Sequence, residues 1–282
     1  INDLPSSGGI VFLLEGTYYI SSSIDITKSN VTLMGSGWST KLYLVDGANT
    51  DVIVVGDGTN SYEGITIANL QIDGNKDNNS AGSGIYFKGS SSASISYSKI
   101  INVYVHDCST DGIHLYYSSK NVIQKVISKN NGDDGIQLNR SSENLIEGGT
   151  FEGNSVNGIF VYPFSNRNVI QGNLIKGNWY YGIKGLYVSG LLIKGSTIES
   201  NGRWGINIGL YSYAVIDANL IQANEWGGIA LQDHDHAVIS NNVLYDNGTN
   251  SGYASSNISL GSGCDYNTIQ NNLIRKGSYY ST

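Results

Sequence analysis

Two short segments of this chain carry carboxylates at a spacing that could support acid–base chemistry. They read STDGIHL at residues 109–115 and GDDGIQL at residues 132–138. Asp111 and Asp134 lie 23 residues apart, and Asp133 adds a third carboxylate. Clustered carboxylates separate their pKa values, so one can donate a proton while another stays charged. Glycoside hydrolysis needs such a pair, and we predict that these three side chains form a catalytic group.

The position between the two apolar residues of each segment holds further candidates. His114 in IHL and Gln137 in IQL occupy it, and Lys184 occupies it in the later segment GIKG. A basic side chain beside the carboxylates would bind the carboxylate of a uronic acid, so His114 and Lys184 join the predicted catalytic set. The predicted substrate-binding residues are amide and aromatic side chains that suit sugars, namely Gln137, Tyr116, Phe160 and Tyr162. Aromatic side chains also suit contacts between subunits.

The aspartates have a competing structural explanation. Asp-Gly and Asn-Gly are common turn dipeptides between strands. The position of Asp134 is taken by Asn157 one repeat later, and then by Tyr181 and Trp204. Turn formation alone therefore remains an alternative to catalysis for Asp111 and Asp134.

These segments belong to an internal repeat. The dipeptide Gly-Ile recurs at residues 84, 112, 135, 158, 182, 205 and 228, at intervals of 28, 23, 23, 24, 23 and 23. Two further apolar segments, such as NVIQ at 168 and GNLI at 172, follow with the same period. A recurring Asn closes each unit, at residues 130, 154, 178, 201, 224 and 247. Four features that keep one period predict a repeat architecture.

Each unit holds three short apolar segments with the two-residue alternation of strands and no helical spacing. We predict an all-β fold, a single-stranded parallel β-helix of about 23 residues per coil and roughly ten coils, with coils about 4.8 Å apart. Residues 1–282 form one domain in this interpretation. Residues 1–60 are irregular amino-terminal coils or a cap, and residues 61–282 are regular coils. The recurring Asn would form a ladder of stacked amides.

The amino-terminal quarter resembles the opening of the pectin-lyase-like superfamily of right-handed parallel β-helices. The resemblance rests on GGIVFLLEGTYYI (8–20), NVTLMGSGWSTKL (30–42) and ITIANLQIDGNKDNN (65–79), followed by the Gly-Ile repeats. It implies the right-handed fold and leaves the function open, because that superfamily includes lyases, hydrolases, epimerases, viral spikes and non-enzymatic surface proteins.

A narrower resemblance involves the aspartates themselves. STDG and GDDG, one coil apart, are similar to the paired aspartate motifs of polygalacturonases, which implies acid–base roles for Asp111, Asp133 and Asp134. The third motif of that family is GHG, and this chain has Asn157 where the His belongs. The fourth is RIK, and this chain keeps Lys184 but has Gly182 at the Arg. Two of four motifs match well and one matches in part.

Metal sites are secondary candidates. Asp233, His234, Asp235 and His236 alternate within one turn and could ligate a transition metal. The segment DGNKDNN at 73–79 has the oxygen alternation of a calcium loop without its sixth-position Gly or twelfth-position Glu. We therefore predict that no cofactor is required, with calcium as a secondary option.

Charge and processing signals limit the partners and the location. The net charge of −7 argues against nucleic-acid binding. No apolar run is long enough to insert into a membrane. Cys108 and Cys264 are 156 residues apart, too many coils for a disulfide, so we predict free thiols. Five sequons permit glycosylation in an extracellular or cell-surface protein, at Asn30, Asn78, Asn139, Asn247 and Asn257.

Two functions of different classes follow. The first is a secreted protein that engages polysaccharide and cleaves or modifies a uronate-containing glycan. The second is a non-catalytic subunit of an extracellular filament, surface layer or viral spike that stacks end to end, since an open coil presents unpaired backbone. The predicted partner is accordingly either a polysaccharide or another copy of the chain.

Overall fold

The computed structural model of the chain describes residues 1–248 and 256–275, and its fold is a parallel β-helix. Every pairing between the strands of this part is parallel. Its one helix is a single 3₁₀ turn at Lys76–Asn78. Within the same ranges, no helix has the length and apolar character needed to cross a lipid bilayer.

A ten-stranded sheet, which we call sheet 1, receives one strand from each coil. Its strands are Ile24–Ile26, Ile53–Val55, Ile85–Lys88, Ile113–Tyr116, Ile136–Asn139, Ile159–Tyr162, Ile183–Leu186, Trp204–Ser212, Gly227–Asp235 and Ser256–Leu260. The ten strands agree with the predicted number of coils.

A twenty-stranded sheet, sheet 2, receives two strands or one long strand from each coil. Its strands are Gly9–Leu13, Gly16–Ile20, Val31–Gly35, Thr40–Leu44, Thr66–Asp73, Lys99–His106, Val122–Gln124, Ile127–Lys129, Leu145–Glu147, Thr150–Glu152, Val169–Gln171, Leu174–Lys176, Leu192–Lys194, Thr197–Glu199, Val215–Asp217, Leu220–Gln222, Val238–Ser240, Val243–Tyr245, Thr268–Gln270 and Leu273–Arg275. A small third sheet pairs Tyr62–Glu63, Ile95–Ser96 and Ser118–Ser119.

The register of sheet 1 gives the length of each coil. From Ile113 to Ile229, successive partners are 23 or 24 residues apart. The coils before Ile113 are longer, at 28 to 32 residues, and the coil after Ile229 has 29. The even period of the sequence is therefore a property of the middle coils, where the candidate aspartates lie.

The core is a set of aliphatic columns inside the coils. In each Gly-Ile strand the Ile and the residue two positions later face inward and are buried, as Ile113 and Leu115 show, and this second residue is apolar in every strand except at Gly185. The residue between them faces outward, which places His114 on the outer surface of sheet 1. This alternation is the period-two pattern of a strand with one buried face, as the two-residue spacing of the apolar residues predicts.

The amide ladder is present, with one correction. Each Asn accepts a hydrogen bond from the side-chain amide of the preceding coil along Asn131, Asn154, Asn178, Asn201, Asn224 and Asn247. The sequence prediction began this ladder at Asn130, which is wrong. Asn130 has φ of 56° and occupies the left-handed turn position taken by Gly153 one coil later, whereas Asn131 points inward and is fully buried.

Candidate functional site

The two aspartates are held in place by the glycines that follow them. Asp111 and Asp134 each lie two residues before the inward Ile of their strand, where the chain turns into sheet 1. A Cβ on Gly112 would lie 2.1 Å from Ser128 Oγ, and one on Gly135 would lie 2.5 Å from Gly158 O. Neighbouring coils therefore approach too closely for any side chain there, and this close packing aligns the aspartates along the helix axis.

Asp111, Asp134 and Asn157 form a short hydrogen-bonded column. The backbone N–H of Asp134 donates to Oδ1 of Asp111 at 3.1 Å. The backbone N–H and Nδ2 of Asn157 both donate to Oδ1 of Asp134, at 2.9 and 2.8 Å. Asp111 is 3% exposed and Asp134 is 1% exposed. The column thus buries two carboxyl groups between one coil and the next.

Asp133 completes a cluster of three carboxyls. One oxygen of each of Asp111, Asp133 and Asp134 lies within 4.8 Å of the others, and Asp133 is the most accessible of them. Burial and the neighbouring carboxylates raise the pKa of Asp134 to about 7 and raise the pKa of Asp111 well above its ordinary value. Burial also raises the pKa of Asp133. The cluster can therefore hold a proton near neutral pH, which an isolated aspartate does not.

His114 lies against this cluster in its neutral form. Its Nδ1 is 3.4 Å from Oδ2 of Asp111, and its Nε2 is buried without a hydrogen-bond partner among the described residues. A charged Asp111 would raise the imidazole pKa, yet burial lowers the pKa of His114 to about 4. Burial raises the pKa of Asp111 and lowers that of His114, so this contact favours the uncharged form of both groups.

Of the predicted substrate-binding residues, two contact the cluster or His114 and two lie one coil beyond Gln137. Gln137 joins the cluster, since its Nε2 donates to Oδ2 of Asp134 at 3.3 Å. Tyr116 makes an edge contact with His114, with ring centres 6.3 Å apart. Phe160 stacks on Tyr162 one coil beyond Gln137, with ring centres 5.1 Å apart.

Lys184 lies apart from the carboxyl cluster. It is two coils beyond Gln137, where its Nζ donates to Oδ1 of Asn207 and lies 4.8 Å from the ring centre of Tyr181. Burial and the nearby Arg203 lower the pKa of Lys184 to about 8. The structure thus places Lys184 on the same outer face of sheet 1 as the cluster, without direct contact to its aspartates.

Two residues at the site were not predicted from the sequence. Tyr86 packs on His114 with ring centres 5.0 Å apart, and burial raises the pKa of its hydroxyl. Asp51 accepts a hydrogen bond from the backbone of Ser83 at 2.7 Å, and its charge contributes to the raised pKa of Asp111. Both come from coils of 28 to 32 residues. Counting back 23 residues from Asp111 misses them, whereas alignment on the inward Ile53 and Ile85 would have found them.

The described structure does not gather the alternating Asp and His residues into one site. Asp233 is exposed, while His234 is fully buried with neither ring nitrogen hydrogen-bonded to a described residue. Asp235 accepts a hydrogen bond from the backbone of Asp265 at 2.7 Å. His236 stacks between two tyrosine rings. Strand alternation explains this scatter, because neighbouring residues point to opposite faces.

The side-chain oxygens and amides of the proposed calcium segment 73–79 are engaged by other groups of the protein. Oδ2 of Asp73 forms an ion pair with Lys41 at 2.7 Å, and its Oδ1 accepts from the backbone of Asn75. Asn75 and Asn79 donate to the backbone oxygens of Leu44 and Val45. These contacts hold the loop against the preceding coil, and calcium binding at 73–79 stays a prediction.

The cysteines and sequons take different positions. Cys108 and Cys264 are both free thiols, as predicted, and burial raises the pKa of Cys108 well above its ordinary value. Of the sequons, Asn30 and Asn78 are exposed, and Asn139 and Asn257 are half-buried. Nδ2 of Asn247 donates to Ile221 O and to Oδ1 of Asn257. A glycan on Asn247 would have to displace this end of the amide ladder, and glycosylation at the five positions stays a prediction.

The family of the chain follows from its sequence profile. The profile described as periplasmic copper-binding protein (NosD) matches residues 22–186 and, in an overlapping match, residues 68–282. The chain belongs to the NosD family. No curated protein matches this NosD-family chain in sequence.

Solved structures similar to this NosD-family chain share its fold over nearly its whole length. The A-module of a mannuronan C-5 epimerase from Azotobacter vinelandii is 19% identical with a TM-score of 0.77, over 96% of this chain and 88% of that one. The Dettilon tailspike protein is 15% identical with a TM-score of 0.75, over 95% and 56%. DFA-IIIase from Arthrobacter chlorophenolicus A6 is 12% identical with a TM-score of 0.68, over 100% and 91%. The expected parallel β-helix fold is thereby confirmed.

Copper is named in the description of the NosD family, but the clustered donor groups of residues 1–248 and 256–275 do not fit it. In the described ranges, the groups of three ligating side chains are Asp73, His106 and Asp107, and the three-aspartate cluster. Both ring nitrogens of His106 are engaged, with Asp107 at 2.7 Å and Gln71 at 2.8 Å. Copper prefers imidazole and sulfur ligands, whereas these sets are dominated by carboxylates.

Proposed function

We propose that this protein engages a uronate-containing polysaccharide along the outer face of sheet 1 and modifies it by acid–base chemistry at the three-aspartate cluster. The observation that carries the proposal is the convergence of three carboxyls and a neutral His114 on one surface, in a chain with only 14% charged residues. Buried acids cost stability, and perturbed acids on an accessible face are typical of catalytic sites. Mannuronan, the uronate polymer named for the epimerase that shares this fold, supports the same substrate class.

The accessible members of the cluster are the groups that contact substrate. Asp133 is partly exposed and the side chain of His114 is 22% exposed, although His114 Nε2 is buried, whereas Asp111 and Asp134 are almost completely covered. We assign Asp133 and His114 as the catalytic acid and base pair, and the imidazole ring has to turn to bring a nitrogen to the substrate. Asp111 and Asp134 are positioning residues, since Asp111 lies against His114 Nδ1 and Asp134 receives the hydrogen bond from Gln137. Their raised pKa values keep a proton available beside Asp133.

The reaction best suited to this geometry begins at the carbon next to the uronate carboxylate. One group of the pair removes the proton from C5, and the electron pair moves into the carboxylate, which a carboxylic acid of the cluster stabilises by hydrogen bonding. Return of a proton to the opposite face of C5 gives epimerisation. Breakage of the bond from C4 to the glycosidic oxygen, with the other group of the pair donating a proton to that oxygen, gives elimination and an unsaturated uronate. Hydrolysis, the third option, would add water across the glycosidic bond.

The test is product analysis on purified protein. Alginate and polygalacturonate are incubated with the chain, and unsaturated uronate is followed by absorbance, epimerisation by NMR and hydrolysis by new reducing ends. We expect product with the wild-type chain and roughly 10²–10⁴-fold slower turnover in Asp133→Asn. Asp217→Asn on sheet 2 is the matched control and should keep wild-type turnover. Absence of any product on either polymer would refute the catalytic proposal.

Location and the structural alternative are separate proposals. A polysaccharide substrate and the periplasmic description of the family support a place outside the cytoplasm. Stacking of the chain end to end, as a non-catalytic subunit, also stays a prediction. Sedimentation velocity over a wide range of protein concentration tests it, because head-to-tail contacts give open-ended association and a single monomeric species would contradict it.

A further inference from the structure

A second cluster of unusual side chains lies on the same turn as Asp133. Backbone hydrogen bonds connect equivalent positions of successive coils. The N–H of each of Val156, Tyr180, Arg203 and Trp226 donates to the carbonyl oxygen of the preceding residue in the series that starts at Asp133. Arg203 therefore occupies the position of Asp133 three coils later, at a distance of about 14 Å for coils ~4.8 Å apart. A cavity of about 420 Å³ opens beside it, lined by Trp179, Tyr180, Glu225 and Trp226 among others.

The guanidinium of Arg203 is held between aromatic rings. Its centre lies 3.9 Å from the ring centre of Tyr180 and 4.5 Å from that of Trp226. Nη1 also lies 3.4 Å from the hydroxyl of Tyr181. Ring contacts fix the plane of the guanidinium and leave its edge, with its N–H groups, directed away from the rings. Such an edge binds a carboxylate through two parallel hydrogen bonds.

Glu225 lines the same cavity, but no acidic side chain in the described part of the chain pairs with this positive charge. Arg203 forms no ion pair there, although Arg167 pairs with Glu143 and Lys41 pairs with Asp73. Lys184 lies nearby over Tyr181, and Arg203 contributes to the lowered pKa of Lys184. Two cations that repel one another, in a chain of net charge −7, indicate that an anion is the natural ligand of this surface.

Trp179 adds a flat apolar surface beside the guanidinium. Its side chain is 71% exposed, so it contributes little to the core. A pyranose ring has one apolar face and a polar rim, so an exposed indole suits the face and a neighbouring guanidinium suits a carboxylate on the rim. A sugar unit in an extended chain is about as long as the spacing between coils, so one polysaccharide can span Asp133 and Arg203 together.

We propose that Arg203, with Tyr180, Trp226 and Trp179, forms a distal subsite for the carboxylate of a uronate residue about three sugar units from the one at Asp133. This inference rests on the proposed function for its substrate class. It adds a specificity role, because only chains long enough to reach Arg203 gain the contact, and only chains with a carboxylate there satisfy it.

Binding measurements on defined oligouronates test the subsite. Dimers and hexamers of the uronate are titrated calorimetrically into the wild-type chain and into Arg203→Leu, with Arg167→Leu as a control that removes the same charge from a different turn. We expect Arg203→Leu to weaken hexamer binding roughly tenfold to a hundredfold and to leave dimer binding unchanged. The control should match wild type, and hexamer affinity should fall with added salt.

Further variants separate binding from folding. Arg203→Lys keeps the charge and loses the two-pronged geometry, so we expect intermediate affinity with an unchanged melting temperature. Trp179→Ala should weaken the hexamer several-fold at wild-type stability, whereas Trp38→Ala, on another face, should not. A neutral hexasaccharide of similar length should gain nothing from Arg203. Equal affinity for the neutral chain, or no effect of Arg203→Leu on the hexamer, would overturn the subsite.

The results also distinguish this inference from the proposed function. Turnover of uronate polymers with no dependence on Arg203 at any chain length would refute the distal subsite and leave the catalytic proposal intact. Absence of turnover, combined with hexamer binding that is lost in Arg203→Leu, would refute the catalytic proposal and support the subsite as a binding site.

Discussion

Two polar columns run along the same turn of the β-helix, three residues apart, and they differ in one chemical group. The first is the amide ladder, in which Asn154 Nδ2 donates to Asn178 Oδ1 and Asn178 Nδ2 donates to Asn201 Oδ1, each at 2.9 Å. The second is the column of Asp111, Asp134 and Asn157, in which each acid oxygen accepts from the next coil. Both columns are buried and both follow the helix axis.

The difference shows what an amide supplies and an acid does not. An amide donates and accepts, so a stack of amides satisfies every buried group without net charge. An ionised carboxylate only accepts, so a stack of acids repels and must bind protons to stay buried. A column of amides is therefore more stable than a column of acids when it is buried between coils. Asp111 and Asp134 lower the stability of the fold, which is typical of residues at functional sites.

Placing an acid in the amide ladder should have the largest effect on stability. Asn178→Asp removes the donor to Phe151 O and to Asn201 Oδ1 and buries a charge between coils. We expect the free energy of unfolding to fall by about 4 kcal/mol at pH 8, measured by chemical denaturation. Asn130→Asp, at the neighbouring left-handed turn position, is the matched control and should change little. Similar losses in both variants would contradict the special role of the ladder.

The reverse exchange should stabilise the protein. The pKa of Asp134 is raised to about 7 in the folded chain, so folding favours its protonated form. This contribution is fully present below the ordinary aspartate pKa and is lost as the pH rises through about 7. Asp134→Asn should therefore raise the free energy of unfolding by about 2 kcal/mol at pH 8 and change it little at pH 4. Denaturation at the two pH values measures the difference, and a gain that is equal at both would show that titration is not its cause.

Extending the acid column by one coil should have a smaller effect. Asn157→Asp replaces the amide that donates to Asp134 at 2.8 Å with a second carboxyl. The pKa of Asp134 should rise further, and the free energy of unfolding should fall by about 1–2 kcal/mol at pH 8 with recovery toward pH 5. Titration of the carboxyls by NMR checks the direction, and a lower pKa for Asp134 would refute this explanation.

An exposed acid should contribute least. Glu143 pairs with Arg167 on the turn after sheet 1, where both side chains are largely in solvent. Glu143→Gln should leave the melting temperature within about one degree of wild type, because exposed ion pairs are nearly neutral in their effect on stability. The melting temperature is measured by differential scanning calorimetry. A clear fall would mean that an exposed charge affects stability as a buried one does, which would contradict the comparison of the two buried columns.

Sequence reasoning was most successful where the coils are even. Between Ile113 and Ile229 the inward residues recur every 23 or 24 positions, so periodicity alone identified the strands and stacked Asp111 on Asp134. It failed where long loops change the count, which hid Tyr86 and Asp51. It also placed Asn130 in the ladder instead of Asn131, because one residue separates a left-handed turn position from an inward one.

Side-chain contacts across the site were beyond the reach of the pattern. The repeat places Lys184 two coils beyond Gln137, which the register confirms, but only the structure shows that its Nζ donates to Asn207 and lies over the ring of Tyr181. Arg203 was overlooked because its neighbours in the sequence carry no motif. Its aromatic partners, Tyr180 and Trp226, come from the coils before and after it.

The even coil length of the middle region fixes the distance between the two proposed ligand contacts in units of one coil. Asp133 and Arg203 are separated by a whole number of coils, so their distance changes only in steps of about 4.8 Å. Removal of one complete coil, such as residues 145–168, would join equivalent positions and place Val169 beside Val122, where Leu145 lies now. The gap between the two ends of a bound glycan would then shorten by one sugar unit. Duplication or loss of single coils thus gives this fold a way to change the preferred length of its ligand without rebuilding either contact.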